Sequence, residues 1–131
     1  MAGSRPGVMM PMNDNKLLVV DDDIDTCANL SDILTEFGYD VDVAYRGNDA
    51  LDLLKQHPYR MALLDYRLPC MTGVELFRQM RQIRGDISGL LVTGYASPET
   101  TEAALAAGLR QVLSKPVDVP ILVPLIEDGV A

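Results

Sequence analysis

Three consecutive carboxylates, Asp21, Asp22 and Asp23, follow the apolar run Leu17 to Val20, and a fourth, Asp65, follows Met61 to Leu64. A hydroxyl, Thr93, ends the run Leu90 to Val92, and an ammonium, Lys115, comes two residues after Leu113. Each stands at or near the end of a short run of apolar, largely branched residues, the pattern of a buried strand that terminates in a polar group. A carboxylate in such a place needs a partner. Carboxylates gathered together repel one another unless a cation lies between them, and oxygen ligands with room for water suit Mg²⁺. An ammonium and a hydroxyl beside that cation would provide for the oxygens of a phosphoryl group. Taken alone, Asp21 to Asp23 would serve equally as a solvated turn or as the acidic first turn of a helix. The four segments together carry the chemical reading.

The elements that must position these groups follow from periodicity. Leu17 to Val20 reads as a buried strand. Cys27, Leu30, Ile33 or Leu34, and Phe37 recur at helical spacing up to Gly38, which predicts a helix over about Ile24 to Phe37. Tyr39, Val41 and Val43 alternate with Asp40 and Asp42, the period of a half-exposed edge strand. A second helix over Asn48 to Gln56 stops at His57-Pro58, and Met61 to Leu64 is a buried strand. A third helix begins near Gly73 and closes at Gly85, and Leu90 to Val92 is the fourth strand. Ser97-Pro98 is an N-cap followed by proline at the first helical position, opening a helix that stops at Gly108. Val112 and Leu113 form a short fifth strand, Asp118 is placed to cap the last helix, and Pro124 inside it removes a hydrogen bond. Five strands alternating with five helices predict an α/β fold, a doubly wound parallel sheet covered on both faces. In such a sheet functional groups gather outside the carboxyl ends of the strands, where all four segments end.

Length and composition bound the rest. The chain has 131 residues, 48% of them apolar and 23% charged, which suits one hydrophobic core. Residues 1–15 hold Gly, Ser, Pro and four methionines without a period and read as a flexible N-terminal tail, leaving residues 16–131 as the domain. A formal charge of -8 disfavours direct contact with nucleic acid or anionic lipid. No apolar stretch approaches the roughly 20 residues of a membrane span, and no signal-peptide core is evident, so a cytoplasmic protein is expected. Cys27 and Cys70 are too few for a disulfide scaffold and read as free thiols. His57, before a proline and far from the strand ends, reads as a surface residue.

The motifs Val19-Val20-Asp21-Asp22-Asp23, Leu63-Leu64-Asp65-Tyr66-Arg67-Leu68-Pro69, Thr72-Gly73, Val92-Thr93-Gly94 and Ser114-Lys115-Pro116, with their intervals, resemble the receiver domain of two-component response regulators. The resemblance runs from about Lys16 to the end. It implies a flavodoxin-like sheet in the order 2-1-3-4-5 and a phosphorelay role for the domain, with Asp65 as the phosphoacceptor. It implies that Asp22 and Asp65 bind Mg²⁺ directly, that Asp21 holds it largely through water, and that the Arg67 backbone carbonyl adds a ligand. Thr93 would bond a phosphoryl oxygen after transfer, and Lys115 would pair with the carboxylate before transfer and the phosphoryl after it. A cis peptide between Lys115 and Pro116 is common among such domains. The implied partners are a sensor histidine kinase or phosphotransfer protein upstream and an effector protein or domain downstream, with a homodimer left open. The chain would then be a phosphoacceptor signalling domain that catalyses only its own phosphotransfer and dephosphorylation, either standing alone or cut from a longer protein.

Three positions depart from the common pattern. Val112 stands where many receivers carry a switching aromatic ring, Cys70 where glycine is common, and Thr72 where aspartate is common. Without that ring, the loop Gly94 to Ser97 and the following helix are expected to carry the change, with Tyr95 reorienting, and Tyr95 and Arg67 are expected to flank the route of attacking water. Two other classes fit these residues less well. A Mg²⁺-dependent aspartate phosphatase of the haloacid dehalogenase type needs an acid two residues after the nucleophile, where this chain has Arg67. A flavodoxin-like electron carrier needs a phosphate cradle where this chain has three aspartates. A receiver-like interaction module without phosphorylation is disfavoured, because every required residue is present.

Overall fold

The computed structural model of the protein describes residues 15–128, in which the expected order of elements is found. Strand β1 (Lys16–Val20) leads into α1 (Ile24–Glu36), β2 (Asp40–Ala44), α2 (Gly47–Gln56) and β3 (Met61–Asp65). After a two-residue antiparallel ladder, Arg67–Leu68 against Met71–Thr72, come α3 (Gly73–Ile83), β4 (Ser88–Thr93), α4 (Pro98–Ala106), β5 (Val112–Ser114) and α5 (Val119–Asp128). The five long strands form one parallel sheet in the order 2-1-3-4-5, with β2 at an edge as its alternation required. Residues 1–14 of the expected tail lie outside the described residues, and Asn15 is tied to the sheet by accepting the Asp40 N–H at 2.7 Å.

Alternate residues of the central strands feed two cores, as the two-residue period of a strand demands. Leu18, Val20, Ala62, Leu64 and Leu91 face α2, α3 and α4 through Leu54, Phe77 and Ala104. Leu17, Val19, Met61, Leu63, Leu90 and Val92 face α1 and α5 through Cys27, Leu30, Leu34, Leu122 and Ile126. The sheet is therefore wound on both sides, and its central strands have no solvated face.

Local chemistry sets the helix ends. The Asp23 carboxylate caps α1 by accepting the N–H groups of Asp25 and Thr26, and Gly38 takes the left-handed conformation just past its end. Thr72 and Glu75 close a capping box on α3. Ser97 caps α4 with Pro98 behind it, as expected. The backbone carbonyl of Asp118 accepts the first N–H groups of α5, and that helix runs through Pro124, which is exposed.

Cys70 sits at φ +71° in the turn between the two ladder strands, in the left-handed region that glycine occupies without cost. An L side chain there costs about 1–2 kcal/mol, whereas glycine would give back about 0.4–1 kcal/mol through the freer unfolded chain. Cys70→Gly is therefore expected to raise the unfolding free energy by roughly 0.5–1 kcal/mol. Cys70→Val should lower it, because a β-branched residue tolerates positive φ least. Urea denaturation of the two variants beside wild type checks the order.

Candidate functional site

Strand register alone brings the chemical groups together. Val20 of β1 lies opposite Leu64 of β3, so Asp21 and Asp65 emerge side by side one residue later. Asp65 lies opposite Val92 of β4, and Thr93 follows it. Thr93 lies opposite Ser114 of β5, and Lys115 follows that. Neighbouring strands are about 4.8 Å apart, a spacing that side chains of this length bridge.

The charged residues meet accordingly. Lys115 Nζ lies 2.6 Å from Asp21 Oδ2 and 3.4 Å from Asp65 Oδ1. Asp21, Asp65 and Thr93 are the buried polar side chains among the described residues. Asp21 is held on every side: its N–H donates to the Ala44 carbonyl, its Oδ1 accepts the Asp23 N–H at 2.9 Å, and its carbonyl accepts the Cys27 thiol at 3.2 Å. Asp22 is exposed, yet one oxygen from each of Asp21, Asp22 and Asp65 falls within 4.8 Å of the others. Asp23 is diverted to the α1 cap and does not join them.

Burial, and then the Asp21 carboxylate, push the Asp65 carboxyl above the ordinary aspartate range against the pull of Lys115. Burial works against the Lys115 ammonium, but its bonds to Asp21 and Asp65 prevail and hold its pKa above the usual lysine value. The site is thus an acidic pocket with one cation, still short of positive charge.

That shortage fits a divalent cation. Oxygens on opposite sides of one Mg²⁺ lie about 4.2 Å apart, and one oxygen from each of the three carboxylates lies within 4.8 Å of the others, so the set is of a size to hold such an ion. Beside it opens a cleft of about 400 Å³ lined by Asp65, Arg67, Thr93, Gly94, Tyr95 and Lys115. Thr93 Oγ1 accepts the Tyr95 N–H at 3.2 Å. Arg67 enters through the short ladder, and Gly73, whose N–H donates to the Tyr66 carbonyl at 2.7 Å, lies so close to the Asp65 carbonyl that no side chain fits there. The Lys115–Pro116 peptide is cis.

All six residues expected at the site, Asp21, Asp22, Asp65, Arg67, Thr93 and Lys115, thus stand at one end of the sheet. Lys115 pairs with Asp65 as expected, and it also makes a shorter bond to Asp21 that the sequence did not suggest. Two supporting features were not anticipated. The capping box of Thr72 and Glu75 was visible as a Thr-x-x-Glu pattern, whereas the Cys27 thiol on Asp21 left no signal beyond helical spacing.

Comparison with known proteins agrees with the geometry. Residues 17–127 match the family of response regulator receiver domains. The chain is similar to a response regulator receiver protein of Anaeromyxobacter, 36% identical over 84% of this chain and 46% of that one. It is also similar to the transcriptional regulatory protein ZraR of Salmonella typhimurium, 35% identical over 88% of this chain and 26% of that one. The aerobic respiration control sensor protein ArcB of Escherichia coli is 36% identical over 86% of this chain and 15% of its own. The chain thus spans less than half the length of these relatives. Among solved structures, a receiver domain protein from Methanospirillum hungatei superposes with a TM-score of 0.84 at 32% identity, covering 88% of this chain and 93% of that one. A Burkholderia pseudomallei response regulator, solved with a phosphorylated aspartic acid and a calcium ion, gives 0.81 at 28% identity over 86% of this chain and 66% of that one.

A pH dependence follows from Asp65. A carboxyl whose pKa is higher in the folded than in the unfolded chain binds its proton more tightly when folded, so stability falls as pH rises through that interval. Asp65→Asn escapes this loss. Without Mg²⁺, its melting temperature should exceed that of wild type at neutral pH, and the gap should close below the ordinary carboxylate pKa of about 4. Thermal melts across pH check the sign, and equal melting temperatures at neutral pH would contradict it.

Proposed function

From the premise that the chain belongs to the response regulator receiver family, we propose that Asp65 accepts a phosphoryl group in a Mg²⁺-dependent phosphorelay and that the cleft around it changes shape in response. The observation that carries this reading is the placement of Asp65: buried at the end of β3, in reach of the Lys115 ammonium, and open to a cleft that Thr93 lines. An aspartate attacks phosphorus only where the repulsion between anions is offset. Lys115 supplies one positive charge at that point. Asp21, Asp22, Asp65 and the Arg67 carbonyl are the groups that would hold Mg²⁺, whose charge would screen the incoming phosphoryl oxygens.

In the proposed transfer an Asp65 oxygen bonds to phosphorus while the bond from phosphorus to the donor nitrogen breaks. The donor is a sensor histidine kinase or a phosphotransfer protein; the similarity to the sensor protein ArcB and to the regulator ZraR supports both an upstream and a downstream partner. Lys115, now shared with Asp21, gains phosphoryl oxygens as a second partner. The Thr93 hydroxyl, buried beside the cleft, is able to donate to one of them, a charge-assisted bond that exists only in the phosphorylated state. Drawing Thr93 inward carries the loop Gly94 to Ser97 with it through the Tyr95 N–H. Val112 has no ring to follow that movement, so the loop and α4 deliver the signal. Tyr95 and Arg67, which both line the cleft, shield the phosphate from water. The chain acts as a phosphoacceptor that promotes its own dephosphorylation and has no separate substrate. Among the described residues no helix is long and apolar enough to cross a membrane. Nothing in the geometry favours the phosphatase alternative.

Incubation with acetyl phosphate and Mg²⁺ followed by intact-mass measurement is expected to show one phosphoryl group on wild type that base or hydroxylamine removes, as an acyl phosphate requires. It should be absent from Asp65→Asn and strongly reduced by chelation. Labelling of Asp65→Asn at the wild-type rate would refute the assignment, and no labelling of wild type would favour an interaction module without phosphorylation.

A further inference from the structure

Asp22 is the exposed member of the carboxylate set, and among the described residues its side chain has no hydrogen bond or ion pair. Its direction is therefore set by the backbone on either side of it. The peptide after Asp22 is held by the Asp23 N–H, which donates to Asp21 Oδ1 at 2.9 Å. The peptide before it is held at the Asp21 carbonyl, which accepts the Cys27 thiol at 3.2 Å.

Cys27 is well suited to that task. It is 1% exposed, packed among Leu17, Leu30 and Leu34, and its own N–H donates to the Asp23 carbonyl at 3.1 Å. It therefore spans the β1–α1 turn with one backbone bond and one side-chain bond. Its S–H is a weak donor, and in this position the Asp21 carbonyl is the acceptor it meets.

We infer that Cys27 is a positioning residue for the metal site, whose thiol orients the Asp21–Asp22 peptide and thereby aims the Asp22 carboxylate at Asp65. The inference rests on the reading that Asp21, Asp22 and Asp65 hold Mg²⁺. Groups that orient metal ligands from behind commonly carry 10- to 100-fold in affinity, and a thiol is a weak donor, which places Cys27 at the lower end. The donor matters here, and the volume of the side chain does not.

The test is Mg²⁺ titration by calorimetry of the full chain as wild type, Cys27→Ser, Cys27→Ala and Cys27→Val, with Mg²⁺-free urea denaturation to establish that each variant is folded. Cys27→Ser, which keeps a donor, is expected within about threefold of wild type. Cys27→Ala and Cys27→Val, which lack one, are expected to bind roughly five- to tenfold more weakly whatever their stability. In acetyl phosphate labelling the loss should appear in the Mg²⁺ concentration for half-maximal rate and not in the maximal rate. Wild-type affinity in Cys27→Ala and Cys27→Val, or an order that follows volume with valine near wild type and serine near alanine, would overturn the inference. If alanine fails to fold, the serine and valine pair decides the question. Absence of Mg²⁺ binding by wild type would instead overturn the metal reading, and the inference with it.

Discussion

The site depends on one ammonium shared by two carboxylates. Parallel strands in register force Asp21 and Asp65 to leave the sheet as neighbours, buried and of like charge. Without Lys115 between them one would have to take up a proton. The ammonium itself sits there because β5 is paired to β4 with Ser114 opposite Thr93, and the Lys115 N–H donates to the Thr93 carbonyl at 2.9 Å. The end of the sheet is thus a chain of constraints running from β1 through β3 and β4 to β5.

This arrangement leaves the site incompletely neutralised, with one ammonium between two carboxylates. Lys115 is closer to Asp21 than to Asp65, and the Asp65 carboxylate, the proposed phosphoacceptor, lines the cleft. A metal ion would relieve the remaining repulsion, and a phosphoryl group would bring new oxygens within reach of Lys115 and Thr93. In the proposed function both events act on the same hydrogen bonds that now hold the strand ends, so binding and chemistry are coupled to the shape of the loop after β4.

Much of this was legible in the sequence, for physical reasons. Buried parallel strands must be continuously apolar, so Leu17 to Val20 and Met61 to Leu64 announced themselves, and a carboxylate directly after each marked the functional end of the sheet. The alternation of Val41 and Val43 with Asp40 and Asp42 placed β2 at the edge, where it lies. Strand β4 extends from Ser88 to Thr93, further than its apolar run, because Ser88 and Gly89 are paired with Met61 and Ala62 by tertiary contacts and not by propensity. The short ladder around Cys70 was not legible, since two-residue strands have no period, and neither was the preference of Lys115 for Asp21. That preference is set by how β1, β3 and β5 meet in the sheet, from residues far apart in the chain.

The coupling between Lys115 and Asp21 holds the strand ends together, and a double-mutant cycle measures it most directly. The Mg²⁺-free unfolding free energies of wild type, Lys115→Met, Asp21→Asn and the double variant give the interaction energy. Lys115→Met alone should cost about 2 kcal/mol, less than a wholly buried pair because the lysine is partly exposed, and removing the Asp21 charge as well should restore much of it. A coupling of about 1–2 kcal/mol would bear this out, whereas a coupling near zero would contradict the claim that this ammonium holds the strand ends together.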